Sequence, residues 1–363
     1  METREAGRRT TGRWAMLFAA LALAAAAAPA RAGEPPRLAA RAGLVMDAQT
    51  GQVLWEQNGD VPLPPASTTK VLTSLMALES GRLDDQLVVS LNAQLQPPSK
   101  LDLRAGQRVR LMDLVYALML KSANDAAVVV AEGLGGSVES FAERMNQRAR
   151  ELGATSSHFR NPNGLPDDAH VSSAHDLALI LRHALTVPGF RGIAATRMTE
   201  IPIIARANVV RMVAVHSHNR LLGSYVVPVV GKTGYTRAAG RCFVGAASLD
   251  GREVIIAVLG SSNVWGDSRK LIAYGLGAVA PDAASGVQFA TADAPARKRA
   301  AVRSGKPSHA KKPAAVAKSK RKPSKAEASA KRSSTRSPRE SAYRASAASG
   351  YASAPRRRST DPR

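Results

Sequence analysis

The uneven distribution of charge along the chain most constrains what it can fold into. Of the 363 residues, 51 are Lys or Arg and 28 are Asp or Glu, a formal net charge of +23. Residues 295–363 hold 21 of the basic and 3 of the acidic residues, and residues 1–32 hold 5 and 2. The middle of the chain is therefore nearly neutral, and only this part has the composition of a globular domain. The basic balance of the whole chain is no argument for a nucleic-acid-binding fold.

The N-terminal segment has the layout of a targeting sequence. Arg8, Arg9 and Arg13 precede a short apolar run at residues 15–28, and the small residues Ala30 and Ala32 follow it. This order is typical of a cleavable signal peptide, which we place at residues 1–32. The apolar run is shorter than the ~20 residues of a membrane-spanning helix. The alternative to a cleaved signal peptide is a segment that is retained as a membrane anchor. The segment predicts an exported protein of the periplasm or cell envelope, soluble or peripherally associated with the membrane.

The C-terminal segment has a different composition from the middle of the chain. From about residue 280, Ala, Ser, Pro, Lys and Arg dominate and apolar periodicity is lost. Such a segment buries too little surface to offset its ordering entropy, so residues 280–363 are predicted to be a disordered basic tail. We expect this tail to bind anionic envelope polymers or lipid head groups, with a solvated spacer as the alternative. Nucleic acid is not an expected partner of an exported chain.

Residues 33–279 are predicted to form one catalytic domain of mixed α+β class. Strand patterns lie at both ends of this segment and helical periodicity lies between them, which favours one sheet whose two halves flank a helical insertion. Cys242 is the only cysteine and sits in a predicted strand, as a small buried hydrophobe. No Cys and His residues have metal-ligand spacing, and no metal or organic cofactor is implied. The predicted strands are 44–47, 53–55, 226–230, 241–249 and 254–259, and the predicted helices are 67–80, 111–120, 126–132, 138–152, 173–185 and 269–276.

The first candidate motif is Ser67-Thr68-Thr69-Lys70 at the start of a predicted helix. A separation of three residues is nearly one helical turn, so the Ser67 and Lys70 side chains share a face. A lysine acts as a general base only when neutral, and both desolvation and a second nearby cation lower a lysine pKa. By itself the pattern is weak, because the tail repeats it at Ser308–Lys311 and Ser319–Lys322.

Two further motifs follow in the predicted domain. Ser122-Ala123-Asn124 lies in a polar break between two apolar helices, where a hydroxyl relays a proton and an amide holds a carbonyl. Lys232-Thr233-Gly234 follows an apolar strand, where a cation and a hydroxyl bind a carboxylate and Gly234 leaves room for a substrate backbone. Taken alone, the first of these two motifs is more often a helix-capping loop, and the second is more often the polar end of a strand. The three motifs in this order form the set used by penicillin-binding proteins and β-lactamases.

On these residues the chain resembles the low-molecular-mass penicillin-binding proteins, the D-alanyl-D-alanine carboxypeptidase family of serine DD-peptidases. The resemblance runs from about Gly43 to Gly277 and includes the segments 65–70, 121–126, 161–165 and 231–236. It implies a DD-peptidase/β-lactamase-like fold, with an antiparallel sheet flanked by helices and an inserted all-helical subdomain. It also implies removal of the terminal D-alanine from peptidoglycan stem peptides that end in D-Ala-D-Ala, and inhibition by β-lactams.

The resemblance further implies a role for each motif residue. Ser67 would attack the carbonyl of the penultimate D-Ala, and Lys70 would take its proton. Ser122, with Lys232 near it, would pass a proton to the leaving D-Ala. Lys232 and Thr233 would hold the terminal carboxylate.

The remaining implied contacts concern substrate binding. Asn124 would hold the peptide carbonyl, and the backbone N–H groups of Ser67 and Tyr235 would form the oxyanion hole. Gly234 belongs to the same substrate-binding strand. No histidine is expected to act as the base.

The resemblance is incomplete, and it leaves more than one function open. The segment 261–265 lacks an Arg that relatives often place there to meet the substrate carboxylate, and either Arg237 or Arg241 is the candidate to replace it. A β-lactamase needs a carboxylate-bound water, but no Glu occurs between residues 159 and 185. A DD-endopeptidase that cuts peptidoglycan crosslinks and a non-catalytic envelope-binding protein are also compatible with the sequence.

Overall fold

The computed structural model describes residues 34–223 and 227–285. The strands are β1 (Ala42–Asp47), β2 (Val53–Gln57), β3 (Gln86–Val88), β4 (Arg108–Arg110), β5 (Met198–Ile204), β6 (Val210–His216), β7 (Val229–Thr236), β8 (Gly240–Leu249) and β9 (Arg252–Ser261). The helices are α1 (Lys70–Glu79), α2 (Leu91–Gln94), α3 (Leu111–Tyr116), α4 (Asn124–Gly135), α5 (Val138–Glu151), α6 (Ala174–Ala184), α7 (Phe190–Ala195), α8 (Val264–Val279) and α9 (Pro281–Ser285). A 3₁₀ turn, Ala66–Thr69, precedes α1, a π-helical turn, Ala117–Lys121, follows α3, and a kinked 3₁₀ segment, Arg206–Asn208, joins β5 to β6.

The central sheet joins the two ends of the folded segment. Its antiparallel strands run in the order β2-β1-β9-β8-β7, so β7 is an edge strand. Successive side chains of a strand point to opposite faces, and in β1 Leu44 and Met46 join one buried cluster while Val45 joins another. The first cluster includes the apolar faces of α1, α4 and α6, and the second includes α8. Helices therefore cover both faces of the sheet.

The predicted fold class is confirmed, but the insertion is not all-helical. A second antiparallel sheet, in the order β3-β4-β5-β6, accompanies its helices. Strands β3 and β4 have three residues each, too few to show a period of two in the sequence. Strand β5 contains Pro202, which argues against a strand in a local pattern, although Ile201 and Ile203 on either side are buried. Pairing between distant segments stabilises this sheet, and local patterns do not report such pairing.

Most predicted elements are present with shifted ends. The predicted helix 111–120 divides into α3 and the π-helical turn, and the strand predicted at 226–230 begins at Val229. Cys242 lies buried in β8 as predicted, and burial raises its thiol pKa to about 11.

Two predicted segments fall largely beyond what the structure describes. The predicted signal peptide, residues 1–32, lies outside the described residues, as does the predicted tail from residue 286 onward. Helix α9 occupies the first part of that predicted tail. None of the helices in 34–223 and 227–285 combines the length and hydropathy needed to span a bilayer.

Candidate active site

The turn before α1 places Ser67 beside Lys70. Ser67 lies in the 3₁₀ turn and is partly exposed, whereas Lys70 is the first residue of α1 and is fully buried. Lys70 Nζ lies 3.0 Å from Ser67 Oγ. Thr69 holds the turn from the other side, because its hydroxyl lies 2.9 Å from His170 Nε2. The Arg160 N–H donates to His170 Nδ1 at 3.0 Å, so the protonated nitrogen is Nε2, which donates to Thr69.

The Lys70 ammonium position is surrounded by oxygen acceptors. Lys70 Nζ donates to Asn124 Oδ1 at 2.8 Å and to the Asn163 carbonyl oxygen at 2.5 Å. The Asn124 amide is fixed in this orientation because its Nδ2 donates to the carbonyl oxygens of Pro97 and Pro98, at 3.0 and 3.2 Å. Two of the three contacts of Nζ are therefore with carbonyl oxygens that can only accept.

Burial and a second lysine change the protonation of this centre. Burial lowers the Lys70 pKa well below the ordinary lysine value, the charge of Lys232 lowers it further, and Asp125 opposes the shift. Burial also lowers the Lys232 pKa, to about 7. The two causes expected from the sequence, desolvation and a nearby cation, are therefore both present. They favour a neutral amine at Lys70.

The second motif occupies the junction between the π-helical turn and α4. Ser122 adopts a left-handed conformation, with φ 61° and ψ 35°, and ends the turn. Asn124 begins α4, and its N–H donates to the Ser99 carbonyl oxygen at 2.7 Å. The buried Asp125 carboxylate accepts the Leu101 N–H at 3.0 Å, which ties the segment 97–103 to the start of α4.

The third motif lies on β7, the edge strand, directly against the turn of Ser67. Lys232 is buried, and its Nζ donates to the Thr233 carbonyl oxygen at 2.8 Å. A Cβ atom at Gly234 would lie 3.0 Å from both the Pro65 oxygen and the Ser67 nitrogen. Glycine at this position therefore allows β7 to approach the turn.

One pocket of about 640 Å³ brings the three motifs together. Of the predicted site residues, Ser67, Ser122, Asn124, Thr233, Gly234 and Tyr235 line it. Lys70 and Lys232 are buried behind this lining. Sequence reasoning missed Asn163, Asp125 and the lining residues Arg220 and Trp265. The segment 161–165 was singled out only as part of a family pattern, because nothing local shows that a carbonyl 93 residues away meets Lys70.

Gly164 is expected to be essential for the position of the Ser67 turn. Its φ is +78°, and an added Cβ would overlap the Ala66 carbonyl oxygen, a backbone atom that cannot rotate away. Gly164→Ala should lower the free energy of unfolding by about 2–5 kcal/mol, from left-handed strain and overpacking together. It should also slow acylation at least about tenfold, because the turn must shift. Urea denaturation and stopped-flow β-lactam acylation measure the two effects.

The matched control is Gly81→Ala. Gly81 has a similar φ of +70°, but an added Cβ meets nothing within 4 Å. This variant should lose only about 1–2 kcal/mol, from the left-handed conformation, and keep its acylation rate. Equal losses in the two variants would show that the contact with Ala66 is unimportant.

The fold and the grouping of these motifs define a class of protein, the active-site-serine DD-peptidases. The family model described as D-alanyl-D-alanine carboxypeptidase matches residues 29–263. The chain belongs to this family of peptidases.

Individual relatives agree with this assignment. The D-alanyl-D-alanine carboxypeptidase DacB2 of Mycobacterium tuberculosis is 35% identical over 255 residues, which are 68% of this chain and 85% of the relative. The Bacillus subtilis enzyme DacF is 31% identical over 61% of this chain, but only 58% of that longer relative is covered. A mutant of the Streptomyces K15 DD-transpeptidase has a similar solved structure, with a TM-score of 0.64 and 30% identity over 66% of this chain and 99% of that one. The predicted family, fold class and enzyme class are thereby confirmed.

Proposed function

We propose that this chain is a serine-type D-Ala-D-Ala carboxypeptidase that removes the terminal D-alanine from peptidoglycan stem peptides through an acyl-enzyme on Ser67. The observation that carries the proposal is the buried Lys70 amine, 3.0 Å from Ser67 Oγ and with a lowered pKa. A neutral lysine next to a hydroxyl that lines a pocket is an activated nucleophile pair. The names of the relatives supply the substrate class.

The hydrogen bonds of Lys70 support its role as the base. A neutral amine has two N–H donors and one lone pair, and Asn124 Oδ1 and the Asn163 carbonyl take the two donors. The lone pair then faces Ser67 Oγ. As Ser67 Oγ bonds to the carbonyl carbon of the penultimate D-Ala, its proton moves to Lys70 Nζ. The N–H groups of Ser67 and Tyr235 would stabilise the resulting oxyanion.

The second half of the reaction needs a proton at the leaving amine. Ser122 lines the same pocket as Ser67, and we assign to it, with Lys232, the transfer of a proton to the departing D-Ala nitrogen. Breaking the C–N bond leaves the acyl-enzyme, and water then releases the shortened peptide and restores Ser67. In the structure, the Asn124 side chain accepts a hydrogen bond from Lys70 and so orients the base. Its predicted contact with the substrate carbonyl requires Nδ2 to leave the Pro97 and Pro98 carbonyls.

Of the competing functions that the sequence left open, the β-lactamase is the one that the pocket lining disfavours. No Asp or Glu lines the pocket among the described residues, and Asp167 and Asp168 are exposed beside a separate small cavity. A β-lactamase lacks its water-activating carboxylate here. A DD-endopeptidase would cut crosslinks with the same site. The two activities can be distinguished by comparing a linear peptide with a crosslinked dimer as substrates.

The deciding experiment measures, for the full chain, the release of free D-alanine and the separation of a crosslinked dimer into monomers. The substrates are an N-acylated tripeptide ending in D-Ala-D-Ala and a crosslinked peptidoglycan dimer, each with and without prior treatment with penicillin. We expect penicillin-sensitive release of D-alanine from the tripeptide and slower cleavage of the dimer. Preferential cleavage of the dimer would replace the proposal by an endopeptidase, and turnover of penicillin without lasting inhibition would replace it by a β-lactamase.

The basic tail and export are separate parts of the proposal. Residues 295–363 carry a net charge of +18, and we propose that they bind anionic surfaces of the cell envelope after export. Because screening acts beyond about 10 Å at 0.1 M salt, binding of the full chain to anionic liposomes should fade between about 50 and 500 mM salt. A full-length variant with Gln at the tail Lys and Arg positions should not bind. Binding that persists at high salt, or in this variant, would exclude an electrostatic tail.

A further inference from the structure

The pocket in front of Ser67 has the electrostatic character of an anion site. Among the described residues that line it, none is acidic, whereas Arg220 and Arg241 contribute cationic side chains. Burial lowers the pKa of the third basic residue, His218, which favours its neutral form. The substrate of the proposed function ends in a free carboxylate. The cation that meets this carboxylate decides how strongly a chain end is preferred over an internal peptide.

The buried lysines are poorly suited to this task. Lys70 is committed to Ser67, Asn124 and Asn163. Lys232 donates to the Thr233 carbonyl oxygen, and with a pKa of about 7 it is only partly charged at neutral pH. An arginine, by contrast, stays charged at any pH of interest and offers paired N–H donors that match a carboxylate.

Arg241 is the arginine with its donors available. Arg220 also lines the pocket but is already engaged in an interaction with the protein. Arg241 is exposed, and within residues 34–223 and 227–285 its guanidinium has no hydrogen-bond or ion-pair partner. Arg237, the other candidate from the sequence, lies in the turn between β7 and β8 and does not line the pocket.

Strand register places Arg241 near Thr233. On β7 and β8, Thr233 pairs with Phe243 and Tyr235 pairs with Arg241. Directly paired residues share a face of an antiparallel sheet, so Thr233 and Arg241 are diagonal neighbours on one face, at roughly 7–8 Å between Cα atoms. An arginine side chain spans this distance. The Thr233 hydroxyl and the Arg241 guanidinium can therefore contact one carboxylate from two sides.

We infer that Arg241, together with the Thr233 hydroxyl, binds the terminal carboxylate of the substrate and makes the enzyme specific for free chain ends. The inference rests on the proposed function and revises the expectation that Lys232 supplies the cation. Arg241 also pairs with Ser261 of β9, which places it next to the pocket-lining residues 262–265.

The test compares two substrates that differ only in the charge at the chain end. These are an N-acylated tripeptide ending in D-Ala-D-Ala and the same peptide ending in a carboxamide. Arg241→Gln should lower kcat/KM for the carboxylate by about 10- to 100-fold, mainly through KM, since a hydrogen bond to a charged group is lost. The carboxamide should change by less than about threefold, which also shows that the variant is folded and reactive. Arg237→Gln is the matched control and should leave both values unchanged.

The failures of the inference and of the proposed function look different. If Arg241→Gln changes both substrates equally, or neither, the inference is wrong while the enzyme activity stands. The same holds if the wild-type chain shows no preference for the carboxylate. If the wild-type chain forms no penicilloyl adduct and releases no D-alanine, the proposed function fails and the inference fails with it.

Arg241→Lys, which keeps the charge without the paired donors, should retain an intermediate preference for the carboxylate.

Discussion

Replacement of Ser67 by alanine is expected to abolish both the penicilloyl adduct and the release of D-alanine. The variant lacks the hydroxyl that lies 3.0 Å from Lys70 Nζ and would form the acyl-enzyme, although the pocket and Lys70 remain. We expect D-alanine release to fall by about 10⁴- to 10⁶-fold, as for other serine enzymes that lose their nucleophile. Intact mass after brief exposure to penicillin, followed by peptide mapping, measures the adduct and its position.

The tail supplies a matched control for this variant. Ser308 has a lysine three residues later, as Ser67 does, so Ser308→Ala removes the serine of the same four-residue pattern. This control should acylate like the wild type. An adduct that persists in Ser67→Ala would place the nucleophile elsewhere, and loss of the adduct in Ser308→Ala would contradict the assignment to Ser67.

Replacement of Lys70 by methionine is expected to lower the acylation rate by about 10²- to 10⁴-fold, the usual contribution of a general base. Methionine has a similar length and is suited to a fully buried position, so the fold should persist. In the wild type, acylation should rise with pH as Lys70 loses its proton, because only the neutral amine accepts the proton of Ser67. The lowered Lys70 pKa puts this rise below the ordinary lysine value. The variant should lose this pH dependence.

Stopped-flow acylation between pH 5 and 10 checks both expectations. Lys270→Met is the control, because Lys270 is a partly exposed lysine of α8 that donates to the Arg37 carbonyl oxygen and lies outside the pocket lining. It should reproduce the wild-type profile. A Lys70→Met rate within tenfold of the wild type, with the same pH dependence, would mean that another group takes the proton.

Much of the fold could be predicted because local residue patterns indicate many of its helices and strands. The helices α5 and α6 show apolar residues at helical spacing and begin after Ser137 and Ser173, whose side chains cap them. The pairing of Ser67 with Lys70 was also predictable, since three residues of helical or 3₁₀ chain suffice to bring the side chains together. For Gly234 the sequence predicted room for a substrate backbone, whereas in the structure its missing Cβ allows β7 to approach the turn of Ser67.

The rest depended on contacts between distant segments. The second sheet pairs the three-residue strand β4 with β5, which lies far away in the sequence, and no local pattern predicts this pairing. The π-helical turn before Ser122 likewise occupies the second half of a segment, 111–120, whose sequence predicts one continuous helix.

The sequence by itself determined the class of this protein, because three motifs in a fixed order, each on its predicted element, form the set used by penicillin-binding proteins and β-lactamases. Only the tertiary structure decided that the pKa of Lys70 is lowered, since burial and the approach of Lys232 involve segments more than 100 residues apart. The tertiary structure also distinguished Arg241 from Arg237, because Arg241 lies on β8 and lines the pocket, whereas Arg237 lies in the turn between β7 and β8. Residue types fix what chemistry is available, but distance and burial, which are nonlocal, determine how it is used.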